Sequence, residues 1–287
     1  MGASWGLTLP LTKIAVSTGH QPFGLVFWQL VIVILVLFCV TRARGKPVVL
    51  GRKYMRLFVM VAMFGALLPD VFFYTAAVGL PAGVLSIILA SVPLFSLVIA
   101  LSLGIDKFSW KRLLGLTFGM TGIFLLVGPD TSLPAGTAIV YVLLALLAPL
   151  FYATEGNLVA LWGTQGLDSV QTLLGASIVG LVLVSPVTLA SGQWIDPLAG
   201  FGAPEAALVV GAIIHGLVYA GYVWLIGRAG SVFAAQLSYL VNGFGVLWAM
   251  IILGESYSTW VWMALAIMLL GVFLVQPRQQ SKIAEPG

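Results

Sequence analysis

Charge is what this chain has least of. Only 8% of its 287 residues are Asp, Glu, Lys or Arg, while 61% are hydrophobic. A soluble domain carries about 25% charged residues, so this chain could not cover its own surface with polar groups, and its solvent is lipid. A single cysteine, Cys39, excludes a disulfide framework within the chain. With two histidines, His20 and His215, there is no HExxH pair, and Walker and GxGxxG motifs are also missing. These absences argue against HExxH metallohydrolases, ATPases and dinucleotide enzymes, and they predict neither metal nor cofactor. Gly and Pro punctuate short connections, which leaves no room for a sizeable soluble domain.

What is present is a series of apolar runs, each near the ~20 residues that span a bilayer. Ten are marked, at about 2–17, 22–41, 56–79, 83–103, 109–128, 136–160, 169–190, 205–227, 231–253 and 259–276. Backbone polar groups in lipid must be satisfied internally, so these runs are expected to be helices. The first is short, and Met1–Ser17 lacks a basic leader, so it reads as a span rather than a cleaved signal. Either the natural start of this helix is missing or the helix begins within the headgroup layer.

Basic residues sort to one side. Of the 13 Lys and Arg residues, only Lys13 falls away from that side in a ten-helix arrangement. The opposite connections hold His20, Asp130, Asp196, Glu205 and Glu255. The formal net charge of +4 is therefore a topology signal rather than a nucleic-acid footprint, and both termini are expected in the cytoplasm.

The chain also repeats itself. Val92–Val127 aligns without a gap on Val241–Gln276, with identities at Val92, Phe95, Ala100, Ser109, Leu116, Gly122, Phe124 and Leu125. Asp106 meets Glu255, and Phe108 meets Tyr257. Five helices per unit is odd, so the halves must cross in opposite senses. The expected fold is all-α and membrane-integral. Ten helices form two inverted repeats, 1–130 and 131–277, followed by a tail at 278–287.

Ionisable groups at membrane depth are costly and are functional candidates by default. Asp70 follows Pro69 and shares a face with Tyr74; it reads as a cation or proton site, or as an acid paired with Lys13. Glu155 lies on a stripe with Tyr152 and can take and release a proton, or it can be an interfacial acid near Trp162. His215, Tyr219 and Tyr222 share one face, as a tunable imidazole or as a plain interhelical hydrogen bond. Lys13 either reaches to the outer interface or serves as a counter-charge to Asp70 or to a substrate carboxylate. Gln236, Tyr239 and Asn242 form a polar stripe, Ser86, Ala90 and Pro93 lie on the equivalent face of the fourth helix, and Gln29 is a weaker candidate. Pro10, Pro69, Pro93 and Pro149 are candidate hinges. Aromatic rings beside a carboxylate suit an ammonium or an aromatic solute. Gly115, Gly119 and Gly122 give one helix a small-residue face for packing within the repeat or between protomers, so monomer and homodimer both stay open.

Several loose motifs in order complete the reading. Trp5-Gly6 with Lys13, the run Phe73–Gly83, Pro93, Gly254-Glu255 and Trp224–Ala235 together resemble the EamA branch of the drug/metabolite transporter superfamily. Asp106 departs from that pattern, where Glu is usual, and so does Asn242, where proline is common. The resemblance covers nearly the whole chain. It implies a secondary transporter or exporter of small organic molecules in the inner membrane. Helices 1, 3, 4, 6, 8 and 9 would line a central cavity, and no ATPase part would be needed. Amino acids and related amphiphiles moved outward are the first expectation, with uptake of a quaternary amine as the alternative and protons as a possible coupling ion. An intramembrane enzyme would need His215 to pair with Glu155 or Asp70. A passive channel or scramblase also fits the composition, and saturable, countertransport-stimulated flux would argue against it.

Overall fold

A computed structural model describes residues 1–128, 133, 139–229 and 237–275, with the side chains at 223, 224 and 226–229 outside that description. Among the described residues the chain is helical, with no strand. The helices are α1 (Gly2–Gly6), α2 (Thr8–Ala15), α3 (Pro22–Ala43), α4 (Met55–Ala62), α5 (Leu68–Gly79), α6 (Ala82–Leu89), α7 (Val92–Ser102), α8 (Trp110–Val127), α9 (Ile139–Trp162), α10 (Ser169–Ala190), α11 (Ala203–Ala229), α12 (Leu237–Leu253) and α13 (Thr259–Val275). Seven stretches of at least 18 residues are long and apolar enough to cross a membrane, and α12 and α13 are shorter apolar helices.

Three of the apolar runs are interrupted where the sequence suggested bends. The first breaks at Leu7 into α1 and α2, three residues before Pro10. In the third, a π-helical turn at Met63–Leu67 joins α4 to α5, just ahead of Pro69. Proline's missing N–H and its ring clash with the preceding turn disfavour regular α-helix there, and π turns recur at functional sites. The fourth run breaks at Ala90–Ser91, so Pro93 enters at the start of α7, where its missing donor costs nothing. Pro149, by contrast, lies inside α9, which stays one element from Ile139 to Trp162.

The packing pairs are exchanged between the halves. α2 packs on α11 as α9 packs on α5, and α1 packs on α12 as α9 packs on α7. α12, the counterpart of α7 in the sequence repeat, lies against α6, which precedes α7 in the same apolar run. Ser86 of α6 donates to the Asn242 carbonyl, and Gly83 at the start of α6 sits against Tyr257, beyond the end of α12. These two helices therefore run in opposite directions, as inverted units require.

The small-residue face of α8 finds its partner within the chain. A Cβ on Gly115 would lie 2.7 Å from the Gly271 carbonyl oxygen, and one on Gly271 would lie 2.7 Å from the Gly119 nitrogen. Only glycine permits that approach, so α8 and α13 pair backbone to backbone. The core behind this pair is built from fully buried Leu80, Leu85, Ile87, Ile88, Leu126 and Met268.

Each end of the bundle has its own polar ties. At the end bearing the basic loops, Arg44 pairs with Asp168 at 3.1 Å and the Gln171 side-chain amide donates to the Pro47 carbonyl. Arg112 is buried there. Its guanidinium bonds Asp106 at 2.6 Å and donates to the Val275 carbonyl at the C-terminus of α13, where a cation complements the helix dipole. At the far end His20 meets Glu205 at 2.6 Å, and Phe23 N–H donates to the Gln193 side chain.

Candidate functional site

The broken helices surround a central cavity of about 480 Å³. Its wall draws on α1, α2, α3, the π turn, α5, α6, α7, α9, α10, α11 and α12. Among the described residues the wall carries two carboxylates, Asp70 and Glu155, and no Lys or Arg.

The two acids are held differently. Asp70 accepts from Gln29 Nε2 at 2.6 Å and from the Tyr152 hydroxyl at 2.7 Å. Tyr74 donates in turn to Gln29 Oε1. One carboxylate thus ties α3, α5 and α9 through a closed network, in which each member's polar atoms are engaged. Glu155 lies one helical turn from Tyr152 on α9, against Gly65 of the π turn, where an added Cβ would sit 3.0 Å from its carboxyl carbon. No hydrogen bond or ion pair joins Glu155 to another described residue. A cationic group or a proton would complete it.

Aromatic rings face this second acid's end of the cavity. Trp5 meets His215 edge-on at 5.9 Å and Tyr222 at 6.1 Å between ring centroids, and Tyr219 lines the same wall. The α11 residues His215, Tyr219 and Tyr222 repeat at four and three, as one helix face requires. Together the rings and the acid offer a cation both charge and π faces.

Far from the basic loops, α5 and α6 meet at a corner outside the cavity lining. Lys13 donates to the Ala77 and Val78 carbonyls at 2.7 and 3.1 Å, at the C-terminal end of α5. Glu255 accepts from Ala82 N–H at 2.8 Å and Gly83 N–H at 3.2 Å, at the N-terminus of α6. A cation on a helix C-terminus and an anion on a helix N-terminus both complement the local dipoles. The Tyr257 hydroxyl donates to Glu255. Burial and this bond to Glu255 hold the Tyr257 phenol above its ordinary pKa, so it remains a donor.

Comparison with known proteins decides which family built this arrangement. The model of the EamA-like transporter family matches residues 1–128 and again 139–276. The chain belongs to the EamA-like transporter family. Among curated relatives, the uncharacterized inner membrane transporter YedA of Escherichia coli strain K12 is 25% identical over 197 residues, covering 68% of this chain and 62% of the relative. The same protein from Escherichia coli O157:H7 gives identical values. The matched region thus spans about 62% of the relatives' length. One solved crystal structure superposes on 95% of this chain and 94% of its own with a TM-score of 0.63 at 18% identity, a likeness of fold alone. The EamA membership and the apolar helices make this a multi-pass inner-membrane protein.

In this EamA chain Gly254-Glu255 has a structural meaning: it delivers the carboxylate that caps α6 from the other half of the molecule. Trp5-Gly6 has one as well. A Cβ on Gly6 would sit 2.8 Å from Gly245 N and from the Val241 carbonyl oxygen, so glycine lets α1 lie against α12 while Trp5 enters the cavity.

Of the residues singled out in the sequence, Asp70, Tyr74, Tyr152, Glu155, His215, Tyr219, Asn242 and Pro93 all line the cavity. Tyr239 lies on α12 but outside the lining, and Gln236 lies outside the described residues. Pro10 and Pro69 are buried but do not reach the cavity, and Pro149 is likewise absent from its wall. Lys13 neither pairs with Asp70 nor ends in open solvent, because the α5 carbonyls hold it. Gln29 proves central rather than weak, bonding both Asp70 and Tyr74. Sequence reasoning missed Thr8, Thr12, Gly65 and Ser238 in the wall, and it read Trp5 only as part of a motif. Trp5, Thr8 and Thr12 fall at i, i+3 and i+7, a polar stripe on an apolar helix that could have been found.

Proposed function

We propose that this chain is a secondary carrier that moves a small organic solute bearing an ammonium group through the central cavity by alternating access. The observation that carries the reading is the composition of the wall: two carboxylates, no Lys or Arg among the described residues, and a face of aromatic rings. A cavity of about 480 Å³ falls in the range of small-molecule sites, roughly 300–1,000 Å³. In this proposal ten helices cross the membrane as two halves, 1–130 and 131–277, with both termini cytoplasmic. The positive-inside distribution of Lys and Arg supports that orientation. Glu155 receives the ammonium or a proton, and Asp70 keeps the wall in shape. His215 and the tyrosines shape the pocket around the solute. Amino acids and related amphiphiles are the first substrate class, and export is the proposed direction.

The test is a thermal-shift screen of purified protein against amino acids, amines and aromatic cations. A ligand that binds only the folded state raises the unfolding midpoint by mass action. Stabilisation by ammonium-bearing solutes that disappears in Glu155→Gln supports the proposal. Stabilisation by anions alone would overturn it. Flux in right-side-out and inverted vesicles, with and without an imposed pH gradient, then reads direction and proton coupling.

A further inference from the structure

A second concavity of about 430 Å³ lies between the third-helix stretch and α9, at the end with the basic loops. Its wall is carbon: Met60, Met63 and Phe64 on one side, Leu158 on the other. Arg56 roofs it, with its guanidinium 4.0 Å from the Trp162 ring centroid. Arg52 and Lys53 stand less than one and a half turns before Arg56, and Lys53 rests 4.5 Å over the Tyr54 ring. None of these three cations forms an ion pair with a described residue. Two cations of this end differ in kind, since Arg44 is neutralised by Asp168 and Arg112 by Asp106; Arg42 and Lys46 are unpaired among the described residues but do not line the groove.

We propose that this groove is a binding site for an anionic phospholipid, with an acyl chain along the methionines and the phosphate at Arg56, Arg52 and Lys53. The argument is charge complementarity combined with a specific shape. A groove open to lipid at membrane depth is filled by hydrocarbon, and flexible Met side chains adapt to a chain that is itself flexible. The contact with Trp162 holds the guanidinium at the groove, and no described residue takes up its N–H edges. Those edges match phosphate oxygens in pairs. Lys and Arg at a membrane surface draw anionic headgroups, and three together select them over zwitterionic ones.

The position gives the site a consequence. Met63 and Phe64 of the π turn line the groove, whereas Gly65 of the same turn lines the central cavity and packs on Glu155. Leu158 is one turn along α9 from Glu155. A lipid in the groove therefore bears on the back of the wall that holds the unpartnered carboxylate.

The site is independent of the transport reading, because it is read from retained lipid. Detergent-purified full-length protein is mixed with phosphatidylglycerol and phosphatidylcholine of identical chains, and bound lipid is counted by native mass spectrometry. Phosphatidylglycerol is expected to be retained about tenfold or more over phosphatidylcholine. Arg52→Gln/Lys53→Gln/Arg56→Gln abolishes the preference, and Arg56→Lys, which keeps the charge but loses the fork, reduces it partly. Val59→Trp, which fills the groove, lowers retention of both lipids. Arg42→Gln/Lys46→Gln, on the same end but away from the groove, leaves the preference intact. Equal retention of the two lipids by the wild type overturns the proposal. So does an unchanged preference in the triple variant, or a loss in the Arg42/Lys46 control equal to that in the triple variant. Unaltered unfolding midpoints show that each variant is folded.

Discussion

Replacing Glu255 with alanine tests what ties α6 to the other half of the chain at the end away from the basic loops. In the wild type its two carboxylate oxygens accept from Ala82 and Gly83 N–H at 2.8 and 3.2 Å, and Tyr257 donates to it as well. A hydrogen bond to a charged group contributes about 1.5–3 kcal/mol, and loss of a helix N-cap costs about 0.5–2 kcal/mol. Both bonds serve one helix end, so the losses overlap, and a net cost of about 2–3 kcal/mol follows from those ranges. Glu255→Gln keeps an acceptor but loses the charge, and about half that cost is expected. Unfolding in detergent measures the change. A second readout separates access from stability. Cys39 is the only native cysteine, so Thr12→Cys in a Cys39→Ser background places one thiol on the cavity wall beside Lys13. Labelling of that thiol by an impermeant maleimide from the far side should rise several-fold when Glu255 is removed. A stability change under about 0.5 kcal/mol together with unchanged labelling would refute the assignment of Glu255 as the tie between the halves.

Other outcomes follow from the same geometry. Asp70→Asn should leave solute binding largely intact but destabilise the fold by about 1–3 kcal/mol, since it weakens the Gln29 and Tyr152 bonds; denaturation curves read this. Glu155→Gln, with no protein partner to lose, should leave the unfolding midpoint near that of the wild type while abolishing binding of ammonium-bearing solutes and any response of flux to a pH gradient. Gly271→Leu would push a side chain into the Gly115 carbonyl and the α8 backbone, costing at least about 1–3 kcal/mol, seen as a lowered midpoint or loss of expression. Tyr257→Phe should reproduce only a minor part of the Glu255→Ala effect on Thr12→Cys labelling, because it removes one donor and leaves both backbone bonds.

Membership in the EamA-like family was legible at Trp5-Gly6, at the Phe73–Gly83 run and at Gly254-Glu255, but what those letters do was not. Glu255 looked like a loop acid. It caps a helix 172 residues away in sequence, a contact that no local pattern encodes. Lys13 offered a choice between solvent and a carboxylate, and two helix-terminal carbonyls took it instead. The face carrying Gly115 and Gly119 announced close packing without naming a partner, since shape complementarity belongs to two surfaces and a sequence shows one at a time.

The sequence alone determined the solvent, the helices and the charge asymmetry of their ends, because each follows from what a local run of side chains costs in lipid or in an electrically asymmetric membrane. It also determined that two intramembrane acids exist. Tertiary structure decided how they differ. Gln29 and Tyr152 come from two other helices to satisfy Asp70, with Tyr74 bonding Gln29 in turn, while nothing described comes to Glu155. A carboxylate's partners are set by which helices meet at its depth, and that meeting depends on breaks at Leu7, at the π turn and at Ala90–Ser91, whose combined geometry exists only once the bundle is packed.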